Sequence, residues 1–278
     1  MKIHALGINT SGFIWTTPAA DCVRSLHALG YDEFELVVNP PHLSLDDSSP
    51  AQREDLAAAF RAEGICLRSL NLPSLDANLA SPMARTRAYS VQLFHDAIDL
   101  AADLGMAHVI TVPGRMNPLL APAPQQRQMW MAESLLALLP HAQARGVGLA
   151  LENVPFASFP DALSLGDFVR SMDSLALSVC YDVANAHFIG ESPVDGLRQL
   201  GKLVSIVHLS DTTRTAWRHD EVGRGDVPFG DVALALAETE FEGSCMLEII
   251  DPNPTQAIVR SHRTLAALGF PASRSGAA

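Results

Sequence analysis

Four apolar segments in the second half of the chain each end on a side chain that can bind a divalent cation. The segments VGLALE, LALSVCYD, KLVSIVH and SCMLE end on Glu152, Asp182, His208 and Glu248. A parallel strand that ends on a ligand, repeated along the chain, is how a closed barrel gathers side chains at one mouth. Three acids and an imidazole placed there would leave uncompensated negative charge unless a cation lay among them. The pattern therefore predicts that these four residues hold one divalent metal ion.

Each of these residues also has an ordinary structural interpretation. Glu152 could form a salt bridge inside the barrel, Asp182 could cap a helix, and His208 could be a hydrogen-bonded core histidine. The four together favour a metal, and oxygen ligands with one imidazole suit Mn²⁺, Mg²⁺ or Co²⁺, with Zn²⁺ as a further alternative.

The elements that must position these ligands alternate between strands and helices. Four further β-rich runs, at 2–8, 33–38, 65–72 and 107–112, bring the number of predicted strands to eight. Helical patterns lie between them, and those at 49–64 and 81–105 begin with Ser-Pro and end at Gly. Because the strands are too apolar to have a solvated face, the sequence predicts an α/β fold, a single (β/α)₈ TIM barrel over residues 1–270. Residues 271–278 are predicted to be a disordered tail.

An open doubly wound sheet is the alternative fold. It usually carries a glycine-rich phosphate-binding turn after its first strand, and the turn here reads INTSGFIWTTP. The later segment GRGDVPFG, at 223–230, is interpreted as a loop over the barrel mouth.

Composition narrows the classes of partner. A formal charge of −12 and a pI near 5.2 oppose binding to nucleic acid, and no segment has the length and apolarity of a membrane span or the pattern of a signal peptide. The four cysteines lack CxxC spacing and are interpreted as reduced core residues. We expect a cytoplasmic protein that acts on a small-molecule substrate, and a homo-oligomer by analogy with other barrels.

An ordered set of segments resembles the xylose isomerase-like superfamily of sugar isomerases and epimerases, which also includes nucleases of the endonuclease IV type. The set comprises FELVV, NLASP, AADLG, VPG, LEN, YDVANAHFIGESP, VHLSD, GRGDVPF and LEI. The resemblance implies that Glu152, Asp182, His208 and Glu248 hold one divalent cation and that the two glutamates flank the substrate. It also implies four substrate-binding residues, Asn185, His187, Arg214 and His219.

The implied chemistry is isomerisation or epimerisation of a small sugar or hydroxy-ketone. A bound metal ion would polarise the carbonyl and stabilise an enediolate, while Glu152 and Glu248 remove and return the proton. A dehydratase acting on an inosose or dehydroshikimate-type substrate is the alternative. A nuclease is disfavoured because Asn71, Val112 and Asn185 stand where that branch of the superfamily carries further metal ligands. A non-catalytic sugar-binding barrel is disfavoured because a site without activity has no reason to keep three mutually repelling acids.

Overall fold

Eight parallel strands close into a barrel in the computed structural model, which describes residues 6–73 and 76–271. The barrel strands are β1 (Leu6–Asn9), β2 (Glu33–Val37), β3 (Cys66–Leu72), β4 (His108–Thr111), β5 (Gly148–Glu152), β6 (Leu177–Asp182), β7 (Val204–Leu209) and β10 (Ser244–Leu247). Leu6 pairs with Cys245, so the first and last strands close the ring. The predicted (β/α)₈ barrel is confirmed, whereas the boundary at 270 stays a prediction because residues 272–278 of the predicted tail lie outside the described residues.

Helices cover the outside of the barrel. They are α1 (Ala19–His27), α2 (Pro50–Glu63), α3 (Ala84–Asp103), α4 (Pro124–Arg145), α5 (Ala162–Ser171), α6 (Val183–Phe188), α7 (Pro193–Leu200), α8 (Phe229–Glu238) and α9 (Pro254–Ala267). The start of α2 follows its sequence signal, since Ser49 caps the helix and Pro50 is its first residue. The predicted Ser-Pro start of α3 is wrong: the Ser81 hydroxyl accepts the Met83 backbone N–H in a turn, and the helix begins at Ala84.

Both faces of the barrel strands are buried. Inside the barrel, a small apolar layer consists of Ile110, Ala150, Cys180, Ile206 and Met246. The alternate residues of the same strands pack outward against the helices. Because neither face meets water, the strands read as apolar runs rather than as an alternation of apolar and polar residues. Of the four cysteines, all reduced, Cys22, Cys180 and Cys245 are buried and Cys66 is half-buried.

An antiparallel hairpin follows β7 and was not predicted from the sequence. It consists of β8 (Asp211–Thr213) and β9 (Ala216–Asp220). The buried Asp211 carboxylate accepts backbone N–H groups from Thr212, Gly223 and Val227, so it ties the hairpin to the predicted loop at 223–230. In the described part of the chain, no helix combines the length and apolarity needed to cross a membrane.

Candidate active site

The alternation of strand side chains explains how the four predicted ligands come together. Glu152, Asp182, His208 and Glu248 each lie two residues beyond a member of the inner apolar layer, so all four point into the barrel at the carboxyl ends of their strands. One ligand atom from each residue lies within 4.8 Å of the others, and all four residues are buried. The structure therefore brings the predicted ligand set into one cluster, called here the acid–histidine cluster.

His208 is held between acids through both ring nitrogens. Its Nδ1 lies 3.1 Å from Glu152 Oε1 and 3.2 Å from Glu248 Oε2. Its Nε2 lies 2.9 Å from Glu35 Oε1 on the opposite side. A metal ion bound at Nδ1 would leave the ring proton on Nε2, which faces the Glu35 carboxylate.

Glu35 is the functional candidate that sequence reasoning missed. It lies fully buried in β2 and accepts hydrogen bonds from Asn9 Nδ2, at 2.6 Å, and from the Ser69 hydroxyl. The available signal was an acid in the middle of the apolar run EFELVV. A buried carboxylate needs partners, and the sequence did not reveal that one of them is His208.

The buried polar atoms of the cluster fit a divalent cation. Asp182 Oδ1 accepts the Asn185 backbone N–H at 2.6 Å and caps α6, so the helix-cap interpretation of this residue holds as well. Asp182 Oδ2, by contrast, is buried without a hydrogen bond among the described residues. Burial raises the pKa of Glu152 and raises the pKa of Asp182 to about 7. Three carboxylates and one imidazole at this spacing are a donor set that a divalent ion stabilises.

His219 is the one predicted substrate-binding residue that contacts the carboxylates of the cluster through its side chain. Its Nδ1 lies 3.3 Å from Glu248 Oε2 and 3.7 Å from Asp182 Oδ2. Burial acts to lower the pKa of His219, but Glu248 and Asp182 outweigh it and raise the pKa to about 9. In turn, His219 and His208 overcome the effect of burial and hold the pKa of Glu248 well below its usual value. An imidazolium here would offset part of the negative charge of the metal-free cluster.

The other three predicted substrate-binding residues lie in different surroundings. Asn185 lines the cavity above the cluster, and its side-chain oxygen accepts the Trp217 indole N–H at 2.7 Å. His187 does not line that cavity, since it points from α6 toward Asp226, 2.7 Å away. Arg214 does not line the cavity either, and from the turn of the hairpin it donates to the Gly190 carbonyl at 3.2 Å.

The cavity above the cluster has a volume of about 770 Å³. Glu152, Glu248, Asn185 and His219 form its polar side. The ends of β2, β3 and β4 contribute Val37, Asn71 and Val112. The acid–histidine cluster is thus accessible to a ligand through a cavity that opens at the carboxyl ends of the strands, where barrels of this fold bind substrates.

The sequence model of the xylose isomerase-like TIM barrel family matches residues 23–268, so the chain belongs to that family. This confirms the resemblance found in the sequence. Among its relatives, the D-psicose 3-epimerase of Ruminiclostridium cellulolyticum is 23% identical over 240 residues, which cover 84% of this chain and 79% of that enzyme.

Solved structures share the fold. A D-tagatose 3-epimerase-like protein matches with a TM-score of 0.82 at 21% identity, covering 95% of this chain and 97% of that one. The IolI protein, whose structure contains a zinc atom, matches with a TM-score of 0.80 at 20% identity, covering 95% of this chain and 98% of that one. At these identities the likeness concerns the arrangement of the barrel.

Proposed function

We propose that this chain is a divalent-metal-dependent isomerase or epimerase of a small sugar or hydroxy-ketone. The observation that carries the proposal is the acid–histidine cluster, in which two glutamates meet at one imidazole nitrogen and both line the cavity. The relatives named as sugar epimerases support the same reaction class.

Glu152, Asp182, His208 and Glu248 would hold the ion, which we propose to be one Mn²⁺, Mg²⁺, Co²⁺ or Zn²⁺ per chain. When bound, such an ion polarises a substrate carbonyl and favours loss of a proton from the adjacent carbon. The zinc atom in the structure of the IolI protein supports a divalent metal in this fold.

Glu152 and Glu248 would carry the proton. One carboxylate removes it from the carbon next to the carbonyl, and the other returns a proton to the opposite face or to the neighbouring carbon. Their surroundings differ, because burial raises the pKa of Glu152 whereas two histidines lower that of Glu248. His219 and Asn185 line the same cavity and would orient substrate oxygens.

The test is hydrogen exchange into a ketose in D₂O, followed by NMR with the metal-loaded protein. Glu152→Gln and Glu248→Gln should each lower the exchange rate by at least 100-fold, because each removes one of the two groups that carry the proton. Glu133→Gln, which changes a mostly exposed glutamate on α4, is the matched control and should leave the rate unchanged.

Full exchange in either active-site variant would remove that glutamate from the acid–base role. Loss of water with a new conjugated absorbance would instead favour the dehydratase reaction. If no divalent metal binds, as measured by elemental analysis of the purified protein after incubation with each of the four ions, the proposal fails.

A further inference from the structure

The cavity is larger than a free monosaccharide requires. Its volume of about 770 Å³ lies in the upper part of the range of about 300–1,000 Å³ found for sites that bind drug-sized ligands. A free hexose is smaller than such ligands. The space beyond the acid–histidine cluster can therefore hold a second chemical group.

The wall of this additional space is apolar and aromatic. Trp15 follows β1, Phe156 follows β5, and Trp217 lies on β9, so three separate loops bring aromatic rings to one cavity. The Phe156 and Trp217 rings have centroids 6.1 Å apart at an interplanar angle of 69°. Trp15 remains 69% exposed and Phe156 47% exposed. Large aromatic surfaces left open at a cavity indicate that a ligand covers them.

The backbone conformation of Phe156 also indicates that its side chain contacts a ligand. Its φ is 63°, in the left-handed region that bulky residues avoid. Backbone contacts with the segment after β4 hold this conformation. The Phe156 carbonyl accepts the Met116 backbone N–H at 3.1 Å, and the neighbouring Ala157 forms a β-bridge with Arg115. Such strain occurs mainly where a side chain is required at a particular place.

Lysine and arginine side chains are scarce among the described residues that line the cavity. Among the described residues that line it, Arg115 is the one lysine or arginine, while Glu152, Glu248 and Asp251 supply carboxylates. The whole chain carries a formal charge of −12. With a divalent ion bound, the carboxylates of the cluster would be largely offset, and the aromatic wall, beside which Arg115 is the one guanidinium among the described lining residues, suits an uncharged ring better than an anionic group.

We propose that the substrate is an aryl glycoside whose sugar ring carries a ketone. The ketone end lies at the acid–histidine cluster, and the uncharged aromatic substituent packs against Trp15, Phe156 and Trp217. This substrate class rests on the proposed function for its reaction, but binding of the aromatic group can be measured without turnover.

The first experiment measures binding alone, by calorimetric titration of the metal-loaded protein. Phenyl β-glucoside and methyl β-glucoside carry no ketone, so neither can react. The phenyl compound should bind at least 10-fold more tightly, about 1.4 kcal/mol. Phe156→Ala and Trp15→Ala should each lower this preference to below about 3-fold. Tyr89→Ala removes an exposed aromatic ring on α3, away from the cavity, and should leave the preference unchanged.

The second experiment compares kcat/KM for deuterium exchange between the phenyl and methyl glycosides of the same keto-sugar. The phenyl substrate should be favoured by a similar factor, and the two wall variants should lose that preference.

Equal binding of the phenyl and methyl glucosides, or a preference that survives both wall variants, would overturn the substrate class even if free ketoses exchange. A phenyl preference without exchange in any ketone would overturn the proposed function and leave the aromatic site standing. The aromatic wall could instead be covered by a second copy of the chain. A dimer that dissociates in Trp15→Ala and Phe156→Ala, together with no phenyl preference, would show that outcome and refute the aryl site.

Discussion

His208 shows how a predicted ligand is positioned by an acid on another strand of the barrel. Its Nε2 faces Glu35 while its Nδ1 faces Glu152 and Glu248, so the ring orientation is fixed from both sides. Glu35 is itself held by Asn9 and by the Ser69 hydroxyl. Carboxylates that accept a proton from a ligating histidine orient the ring and make it a better electron donor. Glu35 is therefore a positioning residue in the proposed site.

We predict that Glu35→Gln weakens divalent metal binding by about 10- to 100-fold, the usual effect of losing such a partner. The measurement is a metal titration against a competing chelator. Glu33→Gln is the matched control, since Glu33 lies two residues earlier in the same strand and pairs with Arg68 instead. Equal metal affinity in wild type and Glu35→Gln would show that the Glu35 carboxylate does not contribute to metal binding.

At the residue scale, the sequence predicted which four side chains would converge but not which partners would hold them. Strand-end positions of Glu152, Asp182 and His208 follow from the apolar runs before them. The pairing of Glu35 with His208 could not be read in the same way, because it joins strands far apart in the sequence through the barrel interior. The contact of Arg214 with Gly190 depends on the path of an unpredicted hairpin.

The hairpin of β8 and β9 is the element that carries the aromatic and histidine neighbours of the cluster. Its position depends on a close approach at Gly225, where an added Cβ would collide with the Thr212 carbonyl and the Asp211 carboxylate. Asp211 in turn anchors the loop through three backbone N–H groups. The placement of Trp217 and His219 is thus set by a glycine outside the cavity.

Gly225→Ala should destabilise the protein by roughly 1–3 kcal/mol, the usual cost of overpacking, and should lower exchange activity because the hairpin must shift. Gly230→Ala is the control, since its added methyl group meets nothing within 4 Å in α8 and improves helix propensity. Urea unfolding and deuterium exchange measure the two effects. Wild-type stability and activity in Gly225→Ala would contradict the close packing at Thr212 and Asp211.

At the element scale, helix ends were predicted correctly where the capping side chain has no competing hydrogen bond. Ser49, Pro50 and Gly64 set the ends of α2 as expected. The same Ser-Pro signal failed before α3 because Ser81 uses its hydroxyl in a turn. The hairpin escaped prediction because DTTRTAWRHD lacks both regular apolar alternation and a glycine turn.

For the whole molecule, the acid–histidine cluster would link the proposed metal binding to the free energy of unfolding. Without a cation, the folded chain must bury three acids close together, which opposes folding. An ion at 100 times its dissociation constant adds about 2.7 kcal/mol to the free energy of unfolding. For a domain of this size that corresponds to a rise in Tm of roughly 5–11 °C.

We predict that removing metal with a chelator lowers Tm by this amount and that adding the ion back restores it, as measured by thermal unfolding. Asp182→Asn should abolish the response, because it removes a ligand. The same substitution should leave the metal-free protein as stable as the wild type or more stable, because it removes a buried charge. A Tm that is unaffected by Mn²⁺, Mg²⁺, Co²⁺ and Zn²⁺ would contradict the metal site.

At the whole-molecule scale, the fold was the most predictable level. Eight apolar runs alternating with amphipathic helices leave few arrangements other than a closed barrel, and local errors such as the start of α3 do not alter that count. Oligomeric state stays a prediction by analogy, because subunit contacts depend on surface residues that follow no repeating pattern.

Trp217 and His219 face the cavity from alternate positions of β9, while the Arg218 side chain between them is 65% exposed. Side chains on a strand change face at every residue, so inserting one residue before Trp217 would turn Arg218 inward and both aromatic rings outward. A guanidinium would then stand beside the carboxylates and compete with the proposed metal ion. A one-residue insertion at this point would therefore exchange the proposed ion-binding pocket for an internal salt bridge.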